Sequence, residues 1–474
     1  MSPPASGELQ VVRPPRAREA VLAAWSLVEK HPVRASFLVA AVLRIIAAVV
    51  ITLVSGYLFP DESEYVVLGR LAAAGHLTPS FWSGYGETLF HAAGSFMWPI
   101  VVLFKLFGGH PVVAALWAGL FGAITAALTA VIVGQALGRG WSAAAGLTVA
   151  VFPSQIVWSS VVLRESMVWA GLSGVAVGVL IFSRAKQWQS LVGATMLVGT
   201  GLLSLAFLRS WAFLAAAWAT ALAVWLFRPA RPVLTRGLCA LLCLVVPLAS
   251  GLGLAGSSYI RHHGQELGYE RSVLSEGAKS AFVHPKLIAV PGSPGTGKGS
   301  TNPGPKTAPR STKVVPPTTT LVTAPSAIAD EDIVVPSGFG NDLRALPTGF
   351  IAFALRPFPW QHGDGLSYDF AAVEELLYYP LYLLALVGAV AYRRRRDLIA
   401  FPLLVAVLVT GIASEAEGNL GSAFRHRDQL FWAVAFFAAL GVNHLWALWR
   451  PKNRQMKLSP VLGGDRPLTV HASR

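Results

Sequence analysis

The chain has 474 residues, of which 54% are hydrophobic and only 13% are charged, with a formal net charge of +14 and a mean hydropathy of +0.55. Because an ordinary soluble domain carries roughly 25% charged residues, this composition excludes a soluble enzyme, a disordered scaffold and a nucleic-acid-binding domain. The only two cysteines, Cys239 and Cys243, lie one helical turn apart in an apolar run. They indicate neither a disulfide framework nor a zinc site.

Ten apolar runs are long enough to cross a membrane, since a transmembrane helix needs about 20 such residues. The runs lie near residues 36–58, 111–137, 141–160, 162–183, 189–207, 210–227, 234–256, 371–391, 398–414 and 428–449. A shorter stretch, 93–108, contains Pro99 and Lys105, and we expect it to lie in or dip into the outer leaflet. The sequence therefore predicts an all-α polytopic membrane protein with about ten transmembrane helices, roughly 9–12 being compatible with the pattern.

Lysine and arginine residues collect in alternate connections, which the positive-inside rule assigns to the cytoplasm. The basic segments are the N-terminal tail, Arg184/Lys186, Arg228/Arg231/Arg236, Arg393–Arg396 and the C-terminal tail. Both termini are thus predicted to be cytoplasmic, and the residue bias towards Ala, Gly, Val and Arg favours the plasma membrane of a bacterium. This orientation places 19 of the 24 Asp and Glu residues on the outer side or at the outer ends of the helices, so we expect any chemistry to face outwards.

The predicted topology divides the chain into five parts. They are a basic tail (1–35), a transmembrane module (36–256) with a first outer loop (59–110), a second outer loop (257–370), C-terminal transmembrane helices (371–449) and a second tail (450–474). Residues 291–320 are rich in Pro, Gly, Ser, Thr and Lys and are predicted to be a disordered insertion. The insertion resembles a phosphate-binding loop, but Gly299 stands where Ser or Thr is required and no strand or helix pattern flanks it, so no nucleotide is expected.

An acidic pair, Asp61 and Glu62, follows the first span. Adjacent carboxylates at a membrane surface can act as a general base, as ligands of a divalent cation such as Mg or Mn, or as both. The alternative is a solvated helix start with Asp61 as the N-cap. His91, in the same outer loop, could assist the chemistry or could be structural.

Two arginines near the outer face extend this candidate site. Arg164 and Glu165 open the fourth span, where charged residues are costly unless they pair or line a polar cavity. A purely structural clamp of the helix hairpin is the alternative. Arg209 lies in a very short outer turn, where an arginine can bind either a lipid phosphate or a substrate phosphate.

The acidic pair, the long outer loop and the hairpin from Pro153 through Trp158-Ser159 to Arg164-Glu165 resemble the membrane-embedded GT-C glycosyltransferases over roughly residues 36–230. This superfamily includes the protein mannosyltransferases and the lipid A aminoarabinose transferases. The resemblance implies transfer of a sugar from a polyprenyl-phosphate carrier to an acceptor hydroxyl on the outer face. Many members have a longer acidic signature than Asp61-Glu62, so the need for a metal stays open.

The C-terminal half, with the motif 346–360, Glu374-Glu375 and the motif 418–427, resembles a set of poorly characterised bacterial multi-pass proteins often grouped with the sugar transferases of polysaccharide assembly. Arg356 next to Pro357 reads as a rigid outer cation. Arg425, His426 and Arg427 are expected to start the last span from outside. Because the dipole at a helix start disfavours cations, their presence there suggests a bound anion such as lipid phosphate; simple headgroup contact is the alternative.

Together these patterns predict a glycosyltransferase that takes its sugar from a polyprenyl-phosphate donor and passes it to a glycan, lipid or protein acceptor. The predicted catalytic residues are Asp61, Glu62 and Glu165, with Asp61 as the base that takes the acceptor proton. The predicted substrate contacts are Arg164, Arg209, Arg356, Arg425, Arg427 and His91. The alternatives are a polysaccharide polymerase or ligase, a flippase of lipid-linked glycans, and a non-catalytic assembly protein. A flippase would need charged residues through the whole depth of the membrane. Such residues are scarce in this sequence: Arg44 in the first span is the clear example, and its long side chain can snorkel. This scarcity argues against the flippase.

Overall fold

A computed structural model of the protein describes residues 17–55, 60–76, 85–227, 229, 231–250, 252, 339–361, 366–416 and 420–449. Every regular element in these ranges is helical. In chain order the helices are α1 (Ala17–Lys30), α2 (Pro32–Val54), α3 (Pro60–Ala73), α4 (Tyr85–Phe107), α5 (Pro111–Leu137), α6 (Arg139–Val151), α7 (Pro153–Ser159), α8 (Glu165–Arg184), α9 (Trp188–Leu208), α10 (Ser210–Leu226), α11 (Pro232–Ala249), α12 (Phe339–Leu355), α13 (Leu366–Ala391), α14 (Arg396–Ala416), α15 (Leu420–Arg427) and α16 (Phe431–Trp449). A 3₁₀ turn, Asp428–Leu430, joins α15 to α16. The predicted insertion 291–320 lies outside the described residues, as do residues 1–16 and 450–474 of the two tails.

Eight helices in the described ranges are long and apolar enough to cross a membrane, and α6 with α7 forms a ninth candidate as a bent pair. The eight are α2, α5, α8, α9, α11, most of α13, most of α14 and the combined helix Ala423–Trp449. The remaining predicted span corresponds to α10, an apolar helix of 17 residues. The coarse prediction of an all-helical polytopic membrane protein is therefore confirmed. Helix α12, inside the predicted second outer loop, was not foreseen.

The third predicted span, 141–160, is not one continuous helix. Helix α6 ends at Val151, α7 begins at Pro153, and the two axes differ by 58°. Phe152 between them is extended (φ −66°, ψ 129°), because the ring of a following proline disfavours the α conformation. Pro153 takes the first position of α7, where a missing N–H costs little.

Arg44 occupies the centre of this break and does not snorkel, contrary to the sequence-based alternative. Its side chain is 1% exposed and donates to Ser159 Oγ at 2.7 Å and to the carbonyl oxygens of Ala150 and Gln155 at 3.1 and 3.2 Å. In an unbroken helix the Ala150 carbonyl would accept from the Ser154 N–H four residues later. The break leaves the Ala150 carbonyl and the Ser154 N–H without each other as partners, and the guanidinium group of Arg44 donates to the carbonyl instead.

The close packing around Arg44 gives a testable consequence. A Cβ atom on Gly122 of α5 would lie 2.4 Å from Arg44 Nε and 2.6 Å from Ser159 Oγ, both in the buried interior. We expect Gly122→Ala to lower the free energy of unfolding by roughly 1–3 kcal/mol, the usual cost of overpacking. The measurement is thermal unfolding of the purified protein in detergent.

A matched control is Gly193→Ala in α9, where an added Cβ would meet nothing within 4 Å. That change should leave stability unchanged or raise it slightly, because alanine favours helix. Equal stability of the two variants would contradict the proposed packing of Arg44.

Helix α2 runs antiparallel to α5 and alongside α6. The Ser36 side chain lies against Gly146 of α6, which also faces Ala130 near the end of α5, whereas Arg44 lies against Gly122 nearer its start. The chain therefore leaves α2 and enters α5 at the same end of the bundle. The predicted topology requires this arrangement, because it places no membrane crossing between the end of α2 and the start of α5. The orientation of α4 relative to the membrane stays a prediction.

The two ends of the bundle differ in charge. At one end, called here the basic end, Arg184 joins three connections by donating to the Gln135 carbonyl at 3.1 Å and by lying 3.5 Å from the Asp397 carboxylate. The exposed cations of this end include Arg139, Arg184, Lys186, Arg231 and Arg393–Arg396. The opposite end, called the site end, holds the α7–α8, α9–α10 and α12–α13 connections together with α15.

The positive-inside rule predicts that the basic end faces the cytoplasm. Cysteine placed at Arg394 should react with a membrane-impermeant thiol reagent only after the cells are permeabilised, whereas cysteine placed at exposed Lys105 should react in intact cells. The background for both variants is the chain without Cys239 and Cys243. Labelling of Arg394→Cys in intact cells would reverse the predicted orientation.

Candidate active site

Two arginines converge on one carboxylate at the site end. Glu165, the first residue of α8, is 1% exposed. Its Oε1 accepts a hydrogen bond from Arg209 Nη2 at 2.9 Å and lies 3.3 Å from Arg425 Nε. Glu165 therefore links the α9–α10 turn to α15, which begins 211 residues after Arg209 in the chain.

The local backbone conformation directs the side chains of Arg164 and Arg209 towards Glu165. Arg209 is the single residue between α9 and α10, with an extended backbone (φ −160°, ψ 94°), so the chain reverses direction at this position. Its guanidinium contacts His426 and lies 5.5 Å from the ring centroid of Trp211. Arg164 donates to the carbonyl of Leu208 at 2.9 Å, which closes the same turn. Three arginines thus lie within electrostatic reach of Glu165.

We call this set the arginine cluster, and its members are Arg164, Glu165, Arg209, Arg425 and His426. Guanidinium groups present paired donors that match phosphate and carboxylate oxygens, and water-poor surroundings strengthen such bonds. Removing one partner of a buried ion pair costs about 3–5 kcal/mol, because the other charge is left uncompensated. An anion bound by the cluster would share the guanidinium groups with Glu165 or replace its contacts.

Glu62 reaches the edge of this cluster from α3. Its carboxylate is 2% exposed and accepts the backbone N–H of Val162 at 3.1 Å, two residues before Arg164. A solvated helix start is therefore wrong for Glu62. Asp61 is the second residue of α3 rather than the residue before it, so the N-cap alternative is also wrong. The side chains of Asp61 and His91 lie outside the described residues, and their roles stay predictions.

The predicted Mg or Mn site has little support from the side chains that the structure describes. Among them, no group of three or more His, Cys, Asp or Glu residues is placed to hold a metal ion. Glu62 is the described member of the predicted pair, and one of its oxygens is already bonded to Val162. The described residues do not form a divalent-metal site, and we derive no reaction step through a metal.

A second group of buried charges lies between α13 and α15. Arg427 Nη2 is 2.6 Å from Glu375 Oε2, and both side chains are almost fully buried. Asp428 accepts hydrogen bonds from the hydroxyl groups of Tyr378 and Ser154. We call this set the carboxylate cluster, and its members are Glu374, Glu375, Tyr378, Arg427 and Asp428.

Arg425 and Arg427, which the sequence-based prediction grouped together, therefore belong to different clusters. Arg427 Nη1 donates to the carbonyls of Ala354 and Arg356, each at 3.2 Å, and its guanidinium lies 4.6 Å from the ring centroid of Tyr378. Headgroup contact is wrong for this residue because it is 3% exposed. The structure brings the backbone of Arg356 to this site, while the Arg356 side chain donates to Gln361 at 3.4 Å.

The last span begins a few residues earlier than predicted. It runs as one helix from Ala423 to Trp449, with the 3₁₀ turn Asp428–Leu430 inside it, so Arg425, His426 and Arg427 lie in its first turns. The dipole at a helix start disfavours cations at these positions. A second feature that favours an anion is the convergence of Arg425 and Arg209 on Glu165.

Three carboxylates that the site predictions had not included are Glu374, Glu375 and Asp428. All three fall inside predicted spans, at 371–391 and 428–449. Ionisable residues at membrane depth are costly and usually functional, so this signal was present in the sequence. Ser154 and Gln155, which complete the second site, gave no comparable signal.

Comparisons with protein-family models, with curated proteins and with solved structures found no match. Over the residues that the structure describes, the fold is that of a polytopic helical membrane protein, with two buried charged clusters towards one end of its bundle. The likeness to the GT-C glycosyltransferases stays an expectation drawn from the sequence.

Proposed function

We propose that the protein is an integral membrane glycosyltransferase, with both termini in the cytoplasm of a bacterium, that moves a sugar from a polyprenyl-phosphate carrier to an acceptor hydroxyl at the outer face. The observation that carries the proposal is the arginine cluster. It brings Arg164, Arg209 and Arg425 together around Glu165 at the end opposite the basic end. In the predicted orientation this end lies at the outer face, at the level of the phosphate of a lipid carrier. Lipid-facing apolar helices around it suit a long prenyl chain.

The reaction would be a displacement at the anomeric carbon. The acceptor oxygen bonds to that carbon, the bond from the carbon to the phosphate oxygen breaks, and polyprenyl phosphate leaves with the electron pair. Asp61 would take the acceptor proton, since it lies at the start of α3, one residue from buried Glu62. Arg209 and Arg425 would stabilise the negative charge on the leaving phosphate.

Glu165 has a defined role in this scheme. It holds the two guanidinium groups in place before the donor arrives, which lowers the cost of organising them. The donor phosphate would then compete with the carboxylate for the same donors. Transition-state charge on the phosphate would strengthen the arginine contacts further.

The distribution of buried charge favours a transferase over a flippase. A flippase needs polar groups through the whole membrane depth, whereas the buried acidic and basic side chains that the structure describes contact elements of the site end. These residues are Arg44, Glu62, Glu165, Arg209, Glu374, Glu375, His426, Arg427 and Asp428. Nearer the basic end, buried polar residues such as Ser36, Thr129 and Ser142 carry no charge.

The test is an assay of the purified protein in lipid nanodiscs with a panel of polyprenyl-phosphate-linked hexoses and pentoses. The expected result is release of polyprenyl phosphate together with loss of the sugar from the carrier. Release should be faster when envelope glycan, lipid or protein fractions are added as acceptors. Assembly of longer glycans from a pyrophosphate-linked oligosaccharide, with no release from the monosaccharide donors, would instead favour the polymerase or ligase alternative.

A further inference from the structure

We infer that Glu374, Asp428 and Gln155 form a binding site for one monovalent cation, either a sodium ion or a proton, in the interior of the bundle. The inference does not rest on the proposed glycosyl transfer. It rests on the geometry of the three side chains and on the balance of charge around them.

Ser154 ties the two carboxylates together. Its backbone N–H donates to Glu374 Oε1 at 2.6 Å, and its hydroxyl donates to Asp428 Oδ1 at 2.9 Å. The N–H is available because the helix break leaves it without the Ala150 carbonyl. The second oxygens, Glu374 Oε2 and Asp428 Oδ2, are buried and accept no hydrogen bond from the residues that the structure describes.

Gln155 supplies a third acceptor oxygen at the same place. The side chain is fully buried, and its Nε2 donates to the backbone carbonyl of Asp428 at 3.1 Å, which fixes the amide against the pair. Its Oε1 is also buried and has no donor in the described part of the chain. Because buried polar atoms are almost always satisfied, three orphan acceptors on residues that hydrogen bonds tie into one group indicate a ligand that is positively charged or donates protons.

The charge balance favours a positive ligand over water. The titratable and charged groups that face the pair are Glu375, Tyr378 and Tyr382 from α13 and Arg427 from α15. Arg427 pairs with Glu375, and Arg44 bonds to the backbone carbonyl of Gln155 rather than to a carboxylate. Three carboxylates therefore face the guanidinium group of Arg427, and an uncompensated buried negative charge is costly.

One positive charge between the two carboxylates relieves this surplus. Mg²⁺ fits poorly, because it requires near-octahedral coordination that usually includes several waters. A sodium ion would be held by the orphan oxygens of the site, whereas a proton would sit on one carboxylate and donate to a neighbouring oxygen. Both sources supply the same charge, and the experiment separates them.

The experiment measures the thermal unfolding midpoint of the full-length protein in detergent, in sodium chloride or in choline chloride at equal ionic strength, from mildly acidic to mildly alkaline pH. If sodium binds, it should raise the midpoint saturably while choline does not, because a ligand that binds only the folded state stabilises it. If a proton is held, sodium should have no specific effect. The midpoint should then fall as the pH rises, since loss of the proton leaves both carboxylates charged.

Glu374→Gln keeps the size of the side chain and removes the excess charge. It should abolish whichever response the wild-type protein shows, and in choline at alkaline pH it should be at least as stable as the wild type. Asp428→Asn should behave in the same way. Asp369→Asn is the control, because it removes an exposed carboxylate of the same helix, α13, outside the carboxylate cluster. It should keep both the wild-type midpoint and the cation response.

A wild-type midpoint that depends on neither sodium nor pH would overturn the inference. So would a Glu374→Gln variant that keeps the wild-type response. Failure of both Glu374→Gln and Asp428→Asn to fold would also contradict it, since neutralising a surplus charge should not destabilise the protein. These outcomes are independent of whether the protein transfers a sugar.

Discussion

Replacing Asp61 with asparagine is expected to lower sugar transfer by roughly 10²–10⁴-fold, the usual contribution of general acid–base catalysis. Asparagine keeps the size of the side chain and most of its hydrogen bonding but cannot take the acceptor proton. Donor affinity should change little, because phosphate recognition is assigned to the arginine cluster. The measurement is the rate of polyprenyl phosphate release in nanodiscs, with donor binding determined separately.

The matched control for this change is Asp369→Asn, an exposed aspartate near the start of α13. It should leave both transfer and binding at wild-type values. Full turnover by a folded Asp61→Asn variant would remove Asp61 as the base. The polymerase or ligase alternative, which relies on the arginines rather than on Asp61, would then be preferred.

Replacing Arg209 or Arg425 with glutamine is expected to weaken donor binding by a factor of about 10–100. Each change removes a charge-assisted hydrogen bond to the donor phosphate, worth roughly 1.5–3 kcal/mol. The effect should appear in the dissociation constant of the donor, measured with a fluorescent polyprenyl-phosphate sugar. Transfer at saturating donor should also fall, because the same groups stabilise the leaving phosphate.

Arg184→Gln provides the control for these variants. Arg184 is an exposed arginine of the basic end that pairs with Asp397, so it changes the net charge equally without touching the arginine cluster. Donor affinity should stay at the wild-type value. A similar loss of affinity in Arg184→Gln would show that net charge, rather than the arginine cluster, governs donor binding.

The positions of the membrane helices could be predicted from the sequence because each is a long apolar run. Their number was predicted as ten, whereas eight helices of the described residues, or nine with the bent pair, are long and apolar enough to cross a membrane. The break in the third span could not be predicted with the same security. Proline stands inside intact helices at Pro247, Pro380 and Pro402, so Pro153 alone does not indicate a break. Neighbouring helices and side chains can satisfy the backbone groups that a proline frees in a membrane.

The site was partly predictable for a similar reason. Glu165 and Arg209 stood out because charges at the ends of apolar hairpins need partners. The identity of those partners depends on tertiary packing: Arg209 lies 44 residues from Glu165, and the Ser154 hydroxyl bonds Asp428 across 274 residues. No local pattern encodes such a pairing, which is why Arg425 and Arg427 could not be separated before the structure.

Photocrosslinking tests the central claim most directly. A polyprenyl-phosphate hexose that carries a diazirine next to the phosphate would be irradiated with the protein in nanodiscs, and the labelled peptides would be mapped. We expect labelling of the α9–α10 turn and of α15, competition by unlabelled polyprenyl phosphate, and loss of labelling in the double variant Arg209→Gln, Arg425→Gln. Labelling confined to the basic end, or undiminished labelling of the folded double variant, would contradict a donor site at the arginine cluster.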